Sequence, residues 1–238
     1  MSASPEFSPT RWSLVSAVRS GDAPRAREAM EKLCHAYWYP LYAYVRRCGE
    51  PPAEAQDLTQ GFFARFIEKN YLHQADRERG RFRSFLLGAL KHFMADEWDL
   101  CMAVKRGGRC EFLSLDDVDA EARYRLEPAD GMTPERTYDR RWALAIMQRS
   151  MTQLEEEYAA VGRREMFIGL QAQIAGGRDA RFAAAAVQVS MTEGAAKMAV
   201  QRMRRRYREI LCAEVGHTVG TESEIEDELR YLLELVSN

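Results

Sequence analysis

No stretch of this 238-residue chain stays apolar for the ~18 residues that a membrane-crossing helix needs. The opening residues, MSASPEFSPT, lack the basic-then-apolar layout of a secretory leader, so a cytoplasmic location without a membrane partner is expected. Cysteine is sparse and scattered: Cys34, Cys48, Cys101, Cys110 and Cys212, with no C-x-x-C pair. An odd, dispersed set argues against a disulfide framework and a structural zinc site, and fits reduced thiols used as small apolar residues. The four histidines, His35, His73, His92 and His217, have no ligand spacing. Neither a G-x-x-x-x-G-K-[ST] phosphate loop nor an H-E-x-x-H metal motif occurs. An enzyme, a metal and a cofactor are therefore not expected. Strand signals are missing as well. Alanine, leucine, arginine, glutamate and methionine dominate, with apolar residues recurring at three and four, so the expected fold is all-α.

What the chain does have is charge in separate blocks. Its net charge is only −2, yet Glu214 to Asn238 carries −6 and the remainder +4. Five arginines fall between Arg202 and Arg208. A nearly neutral total thus conceals a segment suited to a polyanion.

Helix signals run along the chain. Thr10 is an N-cap for a short helix to about Gly21, and Asp22 starts a longer one to about Cys48, bent near Pro40. PPAEAQDLTQGFFARFIEK predicts a helix that buries Leu58, Phe62 and Phe66. A long helix follows from about Arg81 to Val104, with Phe82, Phe85 and Phe93 as its core side. Residues 107–133, with Pro128, Gly131 and the acids Asp116, Asp117, Asp119 and Glu121, read as an acidic linker between two helical domains, 1–106 and 134–238. Thr133 caps and Pro134 opens the next helix, which runs toward Tyr158. Another is expected from about Arg163 to Ala175. A terminal amphipathic helix places Ile225, Leu229, Leu232 and Val236 on one side.

Between them lies FAAAAVQVSMTEGAAKMAVQRMRRRYREIL. Thr192 is an N-cap, and Ala196, Val200, Met203, Tyr207 and Ile210 form a stripe to be buried. A short apolar helix, a tight turn and this second helix have helix-turn-helix proportions. In that geometry Thr192, Glu193, Lys197 and Gln201 face base edges, while Arg202, Arg204 and Arg205 face phosphates.

On these residues the chain resembles bacterial RNA polymerase sigma factors of the extracytoplasmic-function type. The arginine helix and its approach look like their region four, with an SEG-x-V-K recognition helix. EAQDLTQGFFARFIEK is similar to the DAEDLVQETF helix of region two, and GRFRSFLLGALKHFMADEWD to the adjacent FRAWL helix. The resemblance implies a transcription initiation factor with no catalytic site. Region two would bind the largest catalytic subunit of core RNA polymerase and open promoter DNA at the minus-ten element. Region four would bind the second-largest subunit and read the minus-thirty-five element.

By this resemblance Glu54, Asp57, Gln60, Gly61 and Arg65 are polymerase-binding. Arg83, Lys91, His92, Asp96, Trp98, Lys105 and Arg106 are the region-two DNA contacts. Thr59 is a candidate phosphosite, with a kinase or an anti-sigma protein as a candidate regulator, because a phosphate would add about −1.5 to −2 charge to the docking helix. The acidic linker could mimic RNA or serve as a spacer. The terminal helix is expected to cover region four; the alternatives are that it closes over the arginine helix as a lid or binds polymerase. The alternative reading is a stand-alone dimeric helix-turn-helix regulator.

Overall fold

The computed structural model describes residues 23–76, 81–103, 120–125, 131–175, 182–216, 218–219, 221 and 223–237. Among them every regular element is helical. The helices are α1 (Ala23–Arg47), α2 (Pro52–Glu68), a 3-10 turn (Tyr71–Gln74), α3 (Phe82–Ala103), α4 (Ala120–Arg125), α5 (Pro134–Ala160), α6 (Arg164–Leu170), α7 (Ala172–Ala175), α8 (Phe182–Gln188), α9 (Glu193–Gly216) and α10 (Glu224–Ser237). The predicted Thr10–Gly21 helix, Lys105, Arg106 and the linker acids Asp116, Asp117 and Asp119 lie outside the described residues.

The chain divides into two compact units, Met1–Ala143 with Gly216–Asn238, and Leu144–Val215. This differs from the expected partition at 107–133. The boundary falls within α5, and the acidic C-terminal helix belongs to the N-terminal unit. The reason is chemical. α10 buries Leu229, Leu232 and Leu235, and just before them the fully buried Glu228, whose partners Arg81 and Arg83 stand at the start of α3. The register differs slightly from the expected stripe, with Leu235 rather than Val236 as the deepest residue of the last turn.

In the first unit, aromatic side chains of α1 and of α2 each pack against α3. Prolines at positions 51 and 52 start α2 without a side-chain cap, since Pro52 has no N–H to satisfy. Phe62 and Phe66 are fully buried as expected, and Phe62 meets Phe93 of α3 edge-on at 5.9 Å. Phe82 is also fully buried, against Tyr37 of α1 at 5.6 Å. Asn70 turns the chain after α2 with φ 54°, a left-handed conformation that asparagine tolerates better than most residues.

The second unit gathers Leu154, Phe167, Leu170, Ile174, Ala185, Ala186, Ala196, Ala199, Val200, Met203 and Ile210 into one core. The predicted stripe on α9 is therefore the buried one, with Tyr207 half-buried at its edge and bonded through its hydroxyl to the carbonyl of Met147, 3.2 Å. Alanine-rich α8 gives the other helices room to approach closely. Gly169 of α6 is the tightest point, where an added Cβ would stand 2.4 Å from Val189 Cγ1.

The turn between α8 and α9 needs one left-handed residue, and Ser190 supplies it with φ 52°. That conformation costs a non-glycine L-residue roughly 1–2 kcal/mol. Glycine relieves this strain but adds freedom to the unfolded chain. Ser190→Gly is expected to stabilise the second unit by up to about 1 kcal/mol, read as a higher denaturant midpoint at unchanged slope.

Candidate nucleic-acid interface

α9 begins with the expected N-cap, Thr192. Thr192 Oγ1 accepts a hydrogen bond from the amide of Ala195 at 3.3 Å, and Ala196 N–H bonds the carbonyl of Thr192 at 2.9 Å. Thr192, Glu193, Gly194, Lys197, Met198, Gln201, Arg202 and Arg205 are all exposed. Lys197 pairs with Glu193 one turn earlier at 2.5 Å, an exposed ion pair that a phosphate or a base edge can displace at little cost.

Arg204, Arg205 and Arg206 divide by what they touch. The Arg205 side chain is 78% exposed and reaches toward Glu209, at 3.9 Å. Arg204 turns back into its own unit. Its Nε donates to the carbonyl of Ile174 at 3.0 Å and its Nη2 to that of Gln173 at 2.7 Å. These are carbonyls of α7, so Arg204 serves as a C-terminal cap there. Its guanidinium, expected to meet a phosphate, is thus engaged by its own unit although the residue stays exposed. Arg206 donates from Nε and Nη2 to the two oxygens of Glu157, both at 2.8 Å, and from Nη1 to Glu209 at 3.0 Å. Hydrogen bonding to Glu157 raises the Arg206 pKa, and the same bond lowers that of Glu157. Arg206 thus fastens α9 to α5. Of the cations expected to meet DNA, Lys197 on the base-edge side and Arg202 and Arg205 on the phosphate side stay exposed without bonding another helix of the unit in the described contacts. The arginine count was visible in the sequence, but which ones are occupied depends on where α5 and α7 end.

In the first unit the expected site residues separate more sharply. Arg83 is 2% exposed and ion-paired to the buried Glu228 and, at 2.9 Å, to Asp139. Its guanidinium lies 4.7 Å from the Trp142 ring centre. A side chain so enclosed has no path to a DNA phosphate, so its assignment as a DNA contact is corrected: it is a hub of the core. Lys91 pairs with Glu135 at 2.8 Å while staying half exposed. His92 is exposed, and Trp98 presents 64% of its surface on the same helix. Asp96 accepts from Arg65 Nη2 at 2.8 Å, so Asp96 of the DNA set and Arg65 of the polymerase set are partners across α2 and α3.

On α2, Glu54 and Asp57 are exposed, Gln60 and Arg65 are half-buried, and Gly61 is buried. The continuous docking row is therefore interrupted at Gly61. Thr59 is fully buried and donates its hydroxyl to the carbonyl of Ala55 at 2.7 Å. A kinase cannot reach a hydroxyl so placed, and the phosphosite expectation is corrected.

One linker acid departs from the spacer picture. Glu121 of α4 accepts from Tyr42 Oη at 2.7 Å, from Arg46 Nε at 3.0 Å and from Arg46 Nη2 at 3.1 Å. The Tyr124 ring lies 4.7 Å from the Arg46 guanidinium, and Arg123 sits 4.0 Å from the Tyr39 ring centre. Hydrogen bonding to Arg46 holds the Glu121 carboxyl below its ordinary range, and burial raises Tyr42 to about 12. A depressed carboxyl pKa contributes stability above the unfolded-state value and loses it as pH falls through the folded one. Acidification through the carboxylate range should therefore loosen α4 from α1, read as faster amide exchange at Glu121–Arg125. In Glu121→Gln the same amides should exchange rapidly at all pH values.

Among the described residues no cluster of histidine, cysteine and carboxylate side chains could hold a metal ion, and no helix is long and apolar enough to cross a membrane. Set beside protein-family models, curated proteins and solved structures, the chain matches none of them.

Proposed function

We propose that this chain is a promoter-specificity subunit, an initiation factor that joins core RNA polymerase and directs it to particular promoters. The observation that carries the reading is the exposed row on α9: Glu193, Lys197, Gln201, Arg202 and Arg205 behind the capping Thr192. Short α8, a left-handed residue at the turn and long α9 have the proportions of a helix-turn-helix whose second member enters a major groove. Lys197 and Gln201 offer the hydrogen-bonding groups that distinguish base pairs there, and Arg202 and Arg205 flank them for the backbone.

The second surface is on α2 and α3. Exposed Glu54 and Asp57 suit a basic face of the polymerase, as the resemblance to region two implies. Trp98 and His92 suit a DNA strand that has been opened, because an exposed indole is a stacking platform for an unpaired base. In this reading the protein performs no bond chemistry. It supplies base readout and strand capture to a polymerase that does the synthesis.

Gel filtration with core polymerase tests the first step: a 1:1 complex is expected, and a free dimer that ignores the polymerase would favour the stand-alone regulator instead. Run-off transcription on a genomic library tests the second. Selective start sites should appear only when the protein is present, and an unchanged transcript pattern would remove the proposal.

A further inference from the structure

α3 begins badly as an isolated helix. Its first turn holds no acidic residue, and the flanking Arg81 and Arg83 put two cations where the helix dipole is positive. The residue at its N-cap position is Arg81, whose carbonyl accepts the first helical bonds from Ser84 and Phe85 at 3.0 and 3.2 Å but whose side chain cannot accept one. The first amides of any helix lack helical acceptors and need some other partner.

Both deficits are met from the other end of the sequence. The amide of Phe82 donates to the carbonyl of Thr218 at 3.3 Å. Glu228 of α10 pairs with Arg81 at 3.0 Å and with Arg83, placing a carboxylate beside the helix start. Thr218, Val219 and Glu228 are all fully buried. Asp139 of α5 joins from a third direction, accepting from Arg83 Nε at 2.9 Å and from Tyr231 Oη at 2.6 Å. Tyr138 Oη closes the group on the Arg83 carbonyl at 3.1 Å.

We infer that Thr218 and α10 form a remote N-terminal cap for α3: the Thr218 carbonyl and the Glu228 carboxylate complete the helix that carries His92, Asp96 and Trp98. The acidic tail is then part of the start of α3. Glu228 is a positioning residue that acts through Arg81 and Arg83 on the helix behind them. The consequence for function rests on the reading proposed above: loss of the cap should impair capture of an opened strand while sparing duplex recognition by α9.

The experiment uses the full chain, as wild type, as Glu228→Gln, and as Glu228→Gln combined with Arg81→Asp. Asp at position 81 supplies the missing local cap and removes one of the two cations. Amide exchange should quicken about tenfold or more over residues 82–86 in Glu228→Gln, with α9 unchanged, and return toward wild type in the double variant. Unchanged exchange at 82–86 in Glu228→Gln overturns the inference. So does a loss that Arg81→Asp fails to repair, since it would mark general core damage rather than a missing cap. Permanganate reactivity of promoter thymines with core polymerase should fall and recover in the same order, while duplex binding stays within about twofold. If wild-type protein opens no promoter, the proposed function fails, and the exchange data still decide the cap.

Discussion

Arg83→Ala is expected to cost the first unit about 3–5 kcal/mol, enough to unfold many domains of this size near physiological temperature. The size follows from what remains. Glu228 is fully buried, and without Arg83 it keeps, among the described residues, the half-exposed Arg81 as its cationic partner. Asp139 also loses a partner, although Tyr231 still donates to it. Trp142 loses the cation packed against its ring. Breaking a buried ion pair from one side leaves a charge without compensation, which is worse than never having buried the pair. The double variant Arg83→Met with Glu228→Leu separates the two effects. It removes both charges and retains much of the volume, so it should recover most of the lost stability. Urea titration of all three proteins checks the ordering. If Arg83→Ala unfolds at the wild-type midpoint, the hub assigned to Arg83 is wrong. Arg83→Lys should fall between, since an ammonium cannot span Glu228 and Asp139 with a planar fork of donors.

The sequence made the helices and their inner faces legible because both rest on local pattern. Phe62 and Phe66 repeat at four, Thr133 and Thr192 sit before their helices, and the apolar residues of α9 keep one face. All of these lie where the pattern puts them. The destinations of long polar side chains were not legible. Arg83 looks like Arg202 in a sequence, a cation on a helix. Only the return of the chain through Thr218 and α10 determines that one is enclosed and the other stands in solvent. Arg204 is the same lesson at short range, because the carbonyls it caps exist only where α6–α7 ends. Thr59 offered the clearest available warning. It lies on the side of α2 shared with Phe62, Phe63 and Phe66, so a helical wheel alone places its hydroxyl inside. Charge blocks misled in another way. The −6 tail reads as a cover or lid for the arginine helix, but Glu228 within it is buried as a partner of two arginines of the first unit.

The division among the arginines of α9 predicts two different phenotypes from like substitutions. Arg202→Ala and Arg205→Ala should leave stability near wild type and weaken DNA binding in a salt-dependent way. Each should flatten the slope of log affinity against log salt by about 0.9, the value for one phosphate neutralised. The double variant should flatten it by about 1.8 and weaken binding equally on all duplex sequences. Arg204→Ala should do the reverse. It frees the carbonyls of Gln173 and Ile174 and should lower the stability of the second unit by about 1–2 kcal/mol, with the salt slope intact once the protein is folded. Arg206→Ala should act in the same direction but more weakly, because Glu157 loses its cation while Glu209 keeps Arg205 at 3.9 Å and the pair is partly solvated. Lys197→Ala and Gln201→Ala belong to a third group, changing which sequence is preferred at roughly 1–3 kcal/mol for each base pair no longer read. Fluorescence anisotropy across a salt series, with a thermal melt of each variant, distinguishes the three groups. A salt slope that drops for Arg204→Ala and holds for Arg202→Ala would reverse the assignment and require Arg204 to leave its carbonyls when DNA binds.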